Sequence, residues 1–265
     1  MNAPDPTLAT VAAIVPTFRR PRLLARALAS IRAQGWPPHQ VIVVNDDPAD
    51  VGRTRGVVAA SGLTTADVVM NDGGAGASGA RNAGARHSTC DILAFLDDDD
   101  EWLPSYLETA LPIFAESSIN VVCVDFLRCD QRGIEGRRKA VPERLDGEAF
   151  LTHNPGVVGS NILIRRRLYG EIGGFNESLP THNDVDLGLR LSLHPAVGYR
   201  PLYQPLVRWH EHSEPRLSTA GSAMKRAGIC RFYELHGHRM TPSQRREFRT
   251  RSLRLWGFDE HGVAG

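Results

Sequence analysis

The sequence predicts an α/β fold: a Rossmann-like, mainly parallel central sheet with helices on both faces, followed by a C-terminal helical segment. Short continuous apolar runs alternate with helix-period stretches through the first half, the pattern of a sheet covered on both faces. Polar and acidic clusters stand directly after several of those runs, where open α/β sheets bind their ligands. The chain then turns wholly helical and basic from residue 219.

Taken in order, residues 11–15 form an apolar run that ends at Pro16. Residues 22–34 carry Leu23, Leu24, Ala27, Leu28 and Ile31 at helical spacing, with Pro21 suited to a first turn and Gly35 to a stop. Residues 41–44 read as a second strand, 68–70 as a shorter third and 92–96 as a fourth. Further on, 121–126 read as a strand, 128–144 as a polar, flexible excursion, and 157–164 as an apolar segment running into Arg165-Arg166-Arg167. Residues 184–193 read as a helix, and Leu206-Val207 as the lead into a Trp/His segment. The expected organisation is a disordered N-terminus over 1–9, one half over 10–125, a second over 126–218, and a basic helical cap over 219–265.

Composition narrows the class. The 265 residues are 42% hydrophobic and 23% charged with a formal net charge of +1, which describes a globular protein rather than a disordered or fibrous one. Near-neutrality removes the field a nucleic-acid binder uses, so no nucleic-acid partner is expected. No apolar run approaches the roughly 20 residues of a membrane span, and residues 1–6 lack the pattern of a secretory signal. Cys90, Cys123, Cys129 and Cys230 have no paired spacing, as expected of free thiols in a reducing cytoplasm. From residue 219 the chain carries a charge of about +5 and the remainder about −4. That tail suits either an anionic membrane surface or a solvated cap with room for a homodimer interface; the lack of an apolar anchor favours the cap.

The run Asp97-Asp98-Asp99-Asp100 follows the fourth strand. Neighbouring carboxylates repel by about 1 kcal/mol per pair in water and by more in a cleft, so a divalent cation is their natural partner. Hard oxygen donors suit Mn²⁺ or Mg²⁺. In an extended segment Asp97 and Asp99 point one way, Asp98 and Asp100 the other. Gly74, Gly76 and Gly79 satisfy G-x-G-x-x-G, but a dinucleotide fingerprint belongs after the first strand, which here runs into Pro16-Thr17-Phe18-Arg19-Arg20. Arg81 opens the next helix and is suited to gripping an anion.

Six segments in this order carry a resemblance: Ile14 to Pro21, Val43 to Asp47, Gly79 to Gly84, Phe95 to Asp100, Gly173-Gly174-Phe175-Asn176-Glu177 and Asn183-Asp184-Val185-Asp186-Leu187. Over roughly residues 10 to 218 the sequence resembles the GT-A-fold family 2 glycosyltransferases. The resemblance implies a nucleotide-sugar-binding half joined to an acceptor-binding half. It implies that Pro16, Thr17 and Phe18 line the base pocket together with the neighbouring Arg19, with Phe18 stacking on the ring. Asp46 would accept a hydrogen bond from the base and Arg81 would hold the nucleotide. The D-x-D element maps onto Asp97 to Asp99, with Asp97 or Asp98 on the ribose and Asp99 on the metal.

Such a reaction also needs a carboxylate on the acceptor side to take a proton. The family's base falls at Asp184, although this chain has Asn183 where the family has Glu. Asp184 and Asp186 are about 200° apart on a helix, so only one faces a cleft; Asp186 reads better as an ion-pair partner. A late histidine completes the family pattern, best matched by His212 as a metal ligand, with His210 the alternative. His153, His182 and His194 read as structural or acceptor-loop residues. The expected activity is therefore an inverting, Mn²⁺- or Mg²⁺-dependent transfer from a nucleotide-sugar, a UDP-sugar by preference, to an unidentified acceptor: small molecule, lipid carrier or protein. The rivals are a non-catalytic sugar-nucleotide or glycan-binding module and a dinucleotide-dependent oxidoreductase.

Overall fold

The computed structural model describes residues 9–130, 132, 134–211 and 221–262. β1 (Val11–Thr17), buried at every position, leads into α1 (Pro21–Arg32). β2 (Gln40–Asn45), α2 (Val51–Ala60), β3 (Ala66–Met70), α3 (Ala77–His87) and β4 (Ile92–Phe95) complete the first half. Next come β5 (Glu101–Trp102), α4 (Tyr106–Ala110), β6 (Val121–Cys129), β7 (Glu135–Lys139) and α5 (Gly147–Thr152). They are followed by β8 (Ile162–Arg165), α6 (Arg166–Glu171), α7 (Asn183–Ser192), β9 (Tyr199–His210), α8 (Ala223–His236) and α9 (Pro242–Trp256).

All nine strands share one sheet in the order β3-β2-β1-β4-β8-β6-β9-β5, with β7 paired to the far end of β6. The pairs β1–β2, β1–β4, β2–β3 and β6–β9 are parallel; β4–β8, β6–β8, β6–β7 and β5–β9 are antiparallel. The parallel expectation thus describes the first half, and β8 reverses direction beside β4. Strand periodicity splits the core between the two faces. Ile14, Val44, Leu93 and Phe95 pack on the side of α3 and α5, while Val15, Val43, Ile92 and Leu96 pack against α1. Each such side chain is worth about 1.5–3 kcal/mol on burial.

Three readings of the sequence need correction. The excursion over 128–144 contains β7, an edge strand with no apolar face. It is held because Arg138 pairs with Asp125, which is 0% exposed in the middle of β6. The segment at 206–207 lies inside the twelve-residue β9, which continues to His210. Pro201 and Pro205 lack the amide a ladder needs, and the β6–β9 register slips at Val124–Phe126. Helix α2 escaped notice because it buries only Thr54 and Val58 and has almost no apolar stripe. The division expected at residue 125 falls inside β6, and α8 and α9 lie in the described part of the segment from 219. The four cysteines are free. Among the described residues no helix is long and apolar enough to cross a membrane.

Candidate active site

The carboxyl ends of β1, β2 and β4 lie side by side, and the chain leaves each on a polar turn. After β4 the run is a turn and not the extended segment expected: the Asp100 amide donates to the Asp97 carbonyl at 3.0 Å, leaving Asp97 and Asp99 partly exposed and Asp98 and Asp100 buried. Asp98 turns into the protein, accepting from Thr17 Oγ1 at 2.7 Å and from Arg20 Nη1 at 3.3 Å. Burial, and then the charge of Asp99, push its carboxyl up to about 7 against the pull of Arg20 and Thr17. Asp100 accepts from Ser160 Oγ at 2.6 Å and from the His210 amide at 3.2 Å. Asp99 lies 3.4 Å from Arg20 Nη1, and its carbonyl accepts from Arg26. Oxygens of Asp97, Asp99 and Asp100 all fall within 4.8 Å of one another, a hard-donor set that fits one divalent cation.

At the end of β1, Pro16 and Thr17 are buried, whereas Phe18 is 51% exposed. Arg19 follows in a left-handed conformation, φ 54°, with its guanidinium 5.3 Å from the Phe18 ring centroid. Its partner Asp47 holds Arg19 there and is itself held below the usual carboxylate range by that hydrogen bond. At the end of β2, Asp46 accepts from Asn71 Nδ2 at 2.5 Å and from the Gly76 amide at 2.8 Å, so it shapes the glycine turn as it faces the rim.

That turn explains itself without a dinucleotide. Glu177 Oε2 accepts the Gly74 amide at 2.6 Å, and Glu177 Oε1 accepts from Asn82 Nδ2 at 2.8 Å. Asn82 in turn receives the Tyr169 hydroxyl and the Phe175 amide. A protein carboxylate therefore sits on the loop amide where a pyrophosphate would be expected. The glycines serve close packing: a Cβ at Gly79 would lie 1.6 Å from the Gly74 oxygen.

Arg81, 3% exposed, joins the two sides of the cleft. Its Nη2 donates to Asp97, its guanidinium lies 4.8 Å from the Phe175 ring centroid, and Gly159 leaves the room it needs. Burial alone would weaken its protonation, but the charges of Asp97 and Asp184 outweigh that and hold it more firmly cationic than an ordinary arginine. Asp184 stands in the first turn of α7, and its Oδ1 is enclosed without a hydrogen-bond partner. Burial pushes its carboxyl up to about 6, opposed by Arg81 and Lys225, while Asp97 reinforces the rise. Asp186 faces the other way, paired with Arg190 at 2.6 Å and with His236 Nε2 at 2.8 Å. The N-cap of α7 is His182, φ 64°, so Asp184 is released from capping.

Of the histidines, His212 lies outside the described residues. His210 Nε2 is 2.6 Å from Glu101, so this ring is committed to a protein carboxylate. Two site-lining residues carry no signal in the sequence. Ser160, 0% exposed, ties the aspartate run to the start of β8 through Asp100 and the Asp97 amide. Lys225, from α8, is 6% exposed and electrostatically coupled to Asp184. Neither belongs to a local motif that would have marked it.

Comparison with known proteins agrees with this geometry. The model of the family "Glycosyl transferase family 2" matches residues 12–173. An uncharacterized glycosyltransferase of Haemophilus influenzae is 29% identical over 206 residues, covering 76% of this chain and 68% of the relative. The amylovoran biosynthesis glycosyltransferase AmsB of Erwinia amylovora is 26% identical over 215 residues, 74% of this chain and 68% of that one. The Escherichia coli UDP-Glc:alpha-D-GlcNAc-diphosphoundecaprenol beta-1,3-glucosyltransferase WfgD is 24% identical over 158 residues, 60% and 61% of the two chains. Among solved structures, S. aureus TarS residues 1–349 in complex with UDP-GlcNAc superposes with a TM-score of 0.68 at 16% identity, over 92% of this chain and 73% of that one. With a family match that runs from β1 past the end of α6, and with the fold of TarS, the chain belongs to glycosyltransferase family 2 and is a GT-A-fold glycosyltransferase.

Proposed function

We propose that this glycosyltransferase moves a sugar from a UDP-sugar to an acceptor nucleophile, a hydroxyl in the simplest case, with inversion at the anomeric carbon and with Mn²⁺ or Mg²⁺ as cofactor. The observation that carries the reading is the set Asp97, Arg81 and Asp184: Asp97 pairs with Arg81, the charges of both act on Asp184, and Asp184 Oδ1 is enclosed without a hydrogen-bond partner. The UDP-GlcNAc complex of TarS and the UDP-Glc donor in the name of WfgD support the choice of nucleotide.

In this reading Pro16, Thr17, Phe18 and Arg19 line the base pocket, with Phe18 presenting an exposed ring for stacking and Asp46 as a base acceptor. Arg81 orients the nucleotide and holds Asp97 beside the carboxylates of Asp99 and Asp100. Asp98 fixes the strand end through Thr17 and Arg20. Asp97, Asp99 and Asp100 would hold the cation, which supplies charge neutralisation for the departing diphosphate. Asp184 takes the proton of the acceptor hydroxyl as its oxygen bonds to the anomeric carbon and the bond to the diphosphate breaks. A carboxyl near 6 is largely ionised at neutral pH and still basic enough for that transfer.

The test is an assay of donor hydrolysis and transfer over a panel of nucleotide-sugars with Mn²⁺, with and without chelator, the product anomer being read by proton NMR. Chelator-sensitive turnover of a UDP-sugar with inversion is expected. Turnover indifferent to chelator, or a retained anomer, would overturn the mechanism; nucleotide binding with no turnover would favour a non-catalytic module.

A further inference from the structure

The chain contains only two lysines, Lys139 and Lys225, among 31 Lys and Arg residues. Lys139 is exposed at the end of the edge strand β7. Lys225 is 6% exposed in the first turn of α8, where its amide donates to the N-cap Ser222 hydroxyl at 3.1 Å. Its Nζ lies 4.0 Å from the Trp256 ring centroid. Among the described residues that ammonium has no hydrogen bond and no ion pair.

The surroundings place it on the acceptor side. Trp256 meets the His182 ring edge-on at 5.2 Å, and Phe232 lies 5.6 Å from His182 on its other side. Gly228 packs so closely on Thr181 that a Cβ there would lie 2.0 Å from its hydroxyl oxygen. Helices α8 and α9 therefore clasp the 181–183 turn that presents Asp184. Burial, and then Lys225, keep His182 well below the usual imidazole range, so the ring stays neutral beside the ammonium. Arg226 turns away toward Phe258, and Asp186 is occupied by Arg190 and His236. Among the described residues Asp184 is the one acid whose charge acts on Lys225, and Arg81 also acts on Asp184.

A buried ammonium with a single aromatic neighbour is costly, because cation–π attraction returns only part of the lost hydration. Arg, which this chain uses almost everywhere else, would spread and fork the charge; Lys offers a compact cation suited to one anionic oxygen cluster. We propose that Lys225 is the acceptor-side binding group for a phosphate-class anion, so that the acceptor carries a phosphate or diphosphate close to the hydroxyl that is glycosylated. The assignment of the anion to the acceptor rests on Asp184 marking the acceptor side.

The two-lysine composition makes the test direct. Full-length protein labelled with ¹³Cε,¹⁵Nζ-lysine gives two lysine side-chain signals, assigned with Lys225→Arg, and Lys139 is the internal control. The protein is first saturated with UDP and Mg²⁺, with calorimetry reporting that binding separately. Inorganic phosphate or ethyl phosphate is then titrated against NaCl of equal ionic strength. A saturable shift of the Lys225 signal with phosphate, with NaCl and Lys139 inert, is the expected result. A Lys225 signal that ignores phosphate, or follows NaCl equally, overturns the proposal. A response already complete with UDP and Mg²⁺ assigns the lysine to the donor diphosphate and overturns the acceptor assignment. Failure of UDP to bind sinks the donor reading alone, and the phosphate response still decides the fate of Lys225.

Discussion

Arg81 donates to the carboxylate of Asp97, sixteen residues further on, from a side chain only 3% exposed. The pair bridges the helix after the glycine turn and the acidic strand end, and the charge of Asp184 acts on the same guanidinium. Removing a buried partner leaves charges behind, which is worth more than the pair itself. Arg81→Met is therefore expected to lower stability by about 3–5 kcal/mol in urea unfolding. Arg81→Lys should recover part of that loss, since it restores charge but not the fork. A loss below about 1 kcal/mol for the Met variant would place the pair among surface salt bridges and refute its joining role.

Asp184 gives a prediction of opposite sign. Its folded-state carboxyl near 6 lies above the unfolded value of about 3.9, so the folded protein holds an extra proton between those limits. Stability accordingly falls as pH rises through that window, and the full cost is present above it. Asn mimics the protonated carboxyl, so Asp184→Asn should stabilise the protein at pH 7.5 by about 1–3 kcal/mol and lessen the pH dependence between about 4 and 6, the part left being that of Asp98, whose carboxyl near 7 acts in the same sense. Turnover should fall by about 100-fold or more if Asp184 takes the acceptor proton. Unfolding curves at several pH values decide the first point; an Asn variant less stable than the parent at pH 7.5 would contradict it.

Two glycines separate packing from propensity. Gly79 abuts the Gly74 oxygen, so Gly79→Ala should cost roughly 3 kcal/mol or more and loosen the Glu177 tie. Gly56 sits in α2 with nothing within 4 Å of a built Cβ. Gly56→Ala should stabilise by about 0.5–1 kcal/mol through helix propensity. Thermal unfolding of both variants checks the contrast, and similar effects would remove the case for a close-packed glycine turn.

Continuous apolar runs revealed β1, β2 and β4 because both faces of those strands are covered, whereas the turn that the Asp100 amide closes on the Asp97 carbonyl leaves no mark in a run of four identical residues. The edge strand β7 stayed hidden because its pairing rests on Arg138 and the buried Asp125, a contact across a hairpin rather than a pattern along it. The grip of Glu177 on Gly74 spans 103 residues, and the coupling of Asp184 to Lys225 joins α7 to a helix beyond β9. Local spacing predicts which side chains share a face; it says nothing about which distant segment closes over them. The candidate donor side, which hangs on three neighbouring strand ends, was legible for that reason, and the part contributed by α8 was not.

Phe18 offers the cleanest separation of binding from stability. Its ring is 51% exposed, with Arg19 held 5.3 Å from its centroid by Asp47, so little of the fold depends on it. A base stacked on such a ring gains about 1–3 kcal/mol. Phe18→Ala is therefore expected to weaken UDP binding by about tenfold or more in calorimetry, with the unfolding midpoint unchanged. Phe18→Trp, which keeps a flat face, should bind within a few-fold of the parent. Unaltered UDP affinity in the Ala variant would remove Phe18 from the base pocket. A parallel drop in stability would instead mark the ring as packing, because an exposed side chain that supports the fold must bury part of its surface against something other than ligand.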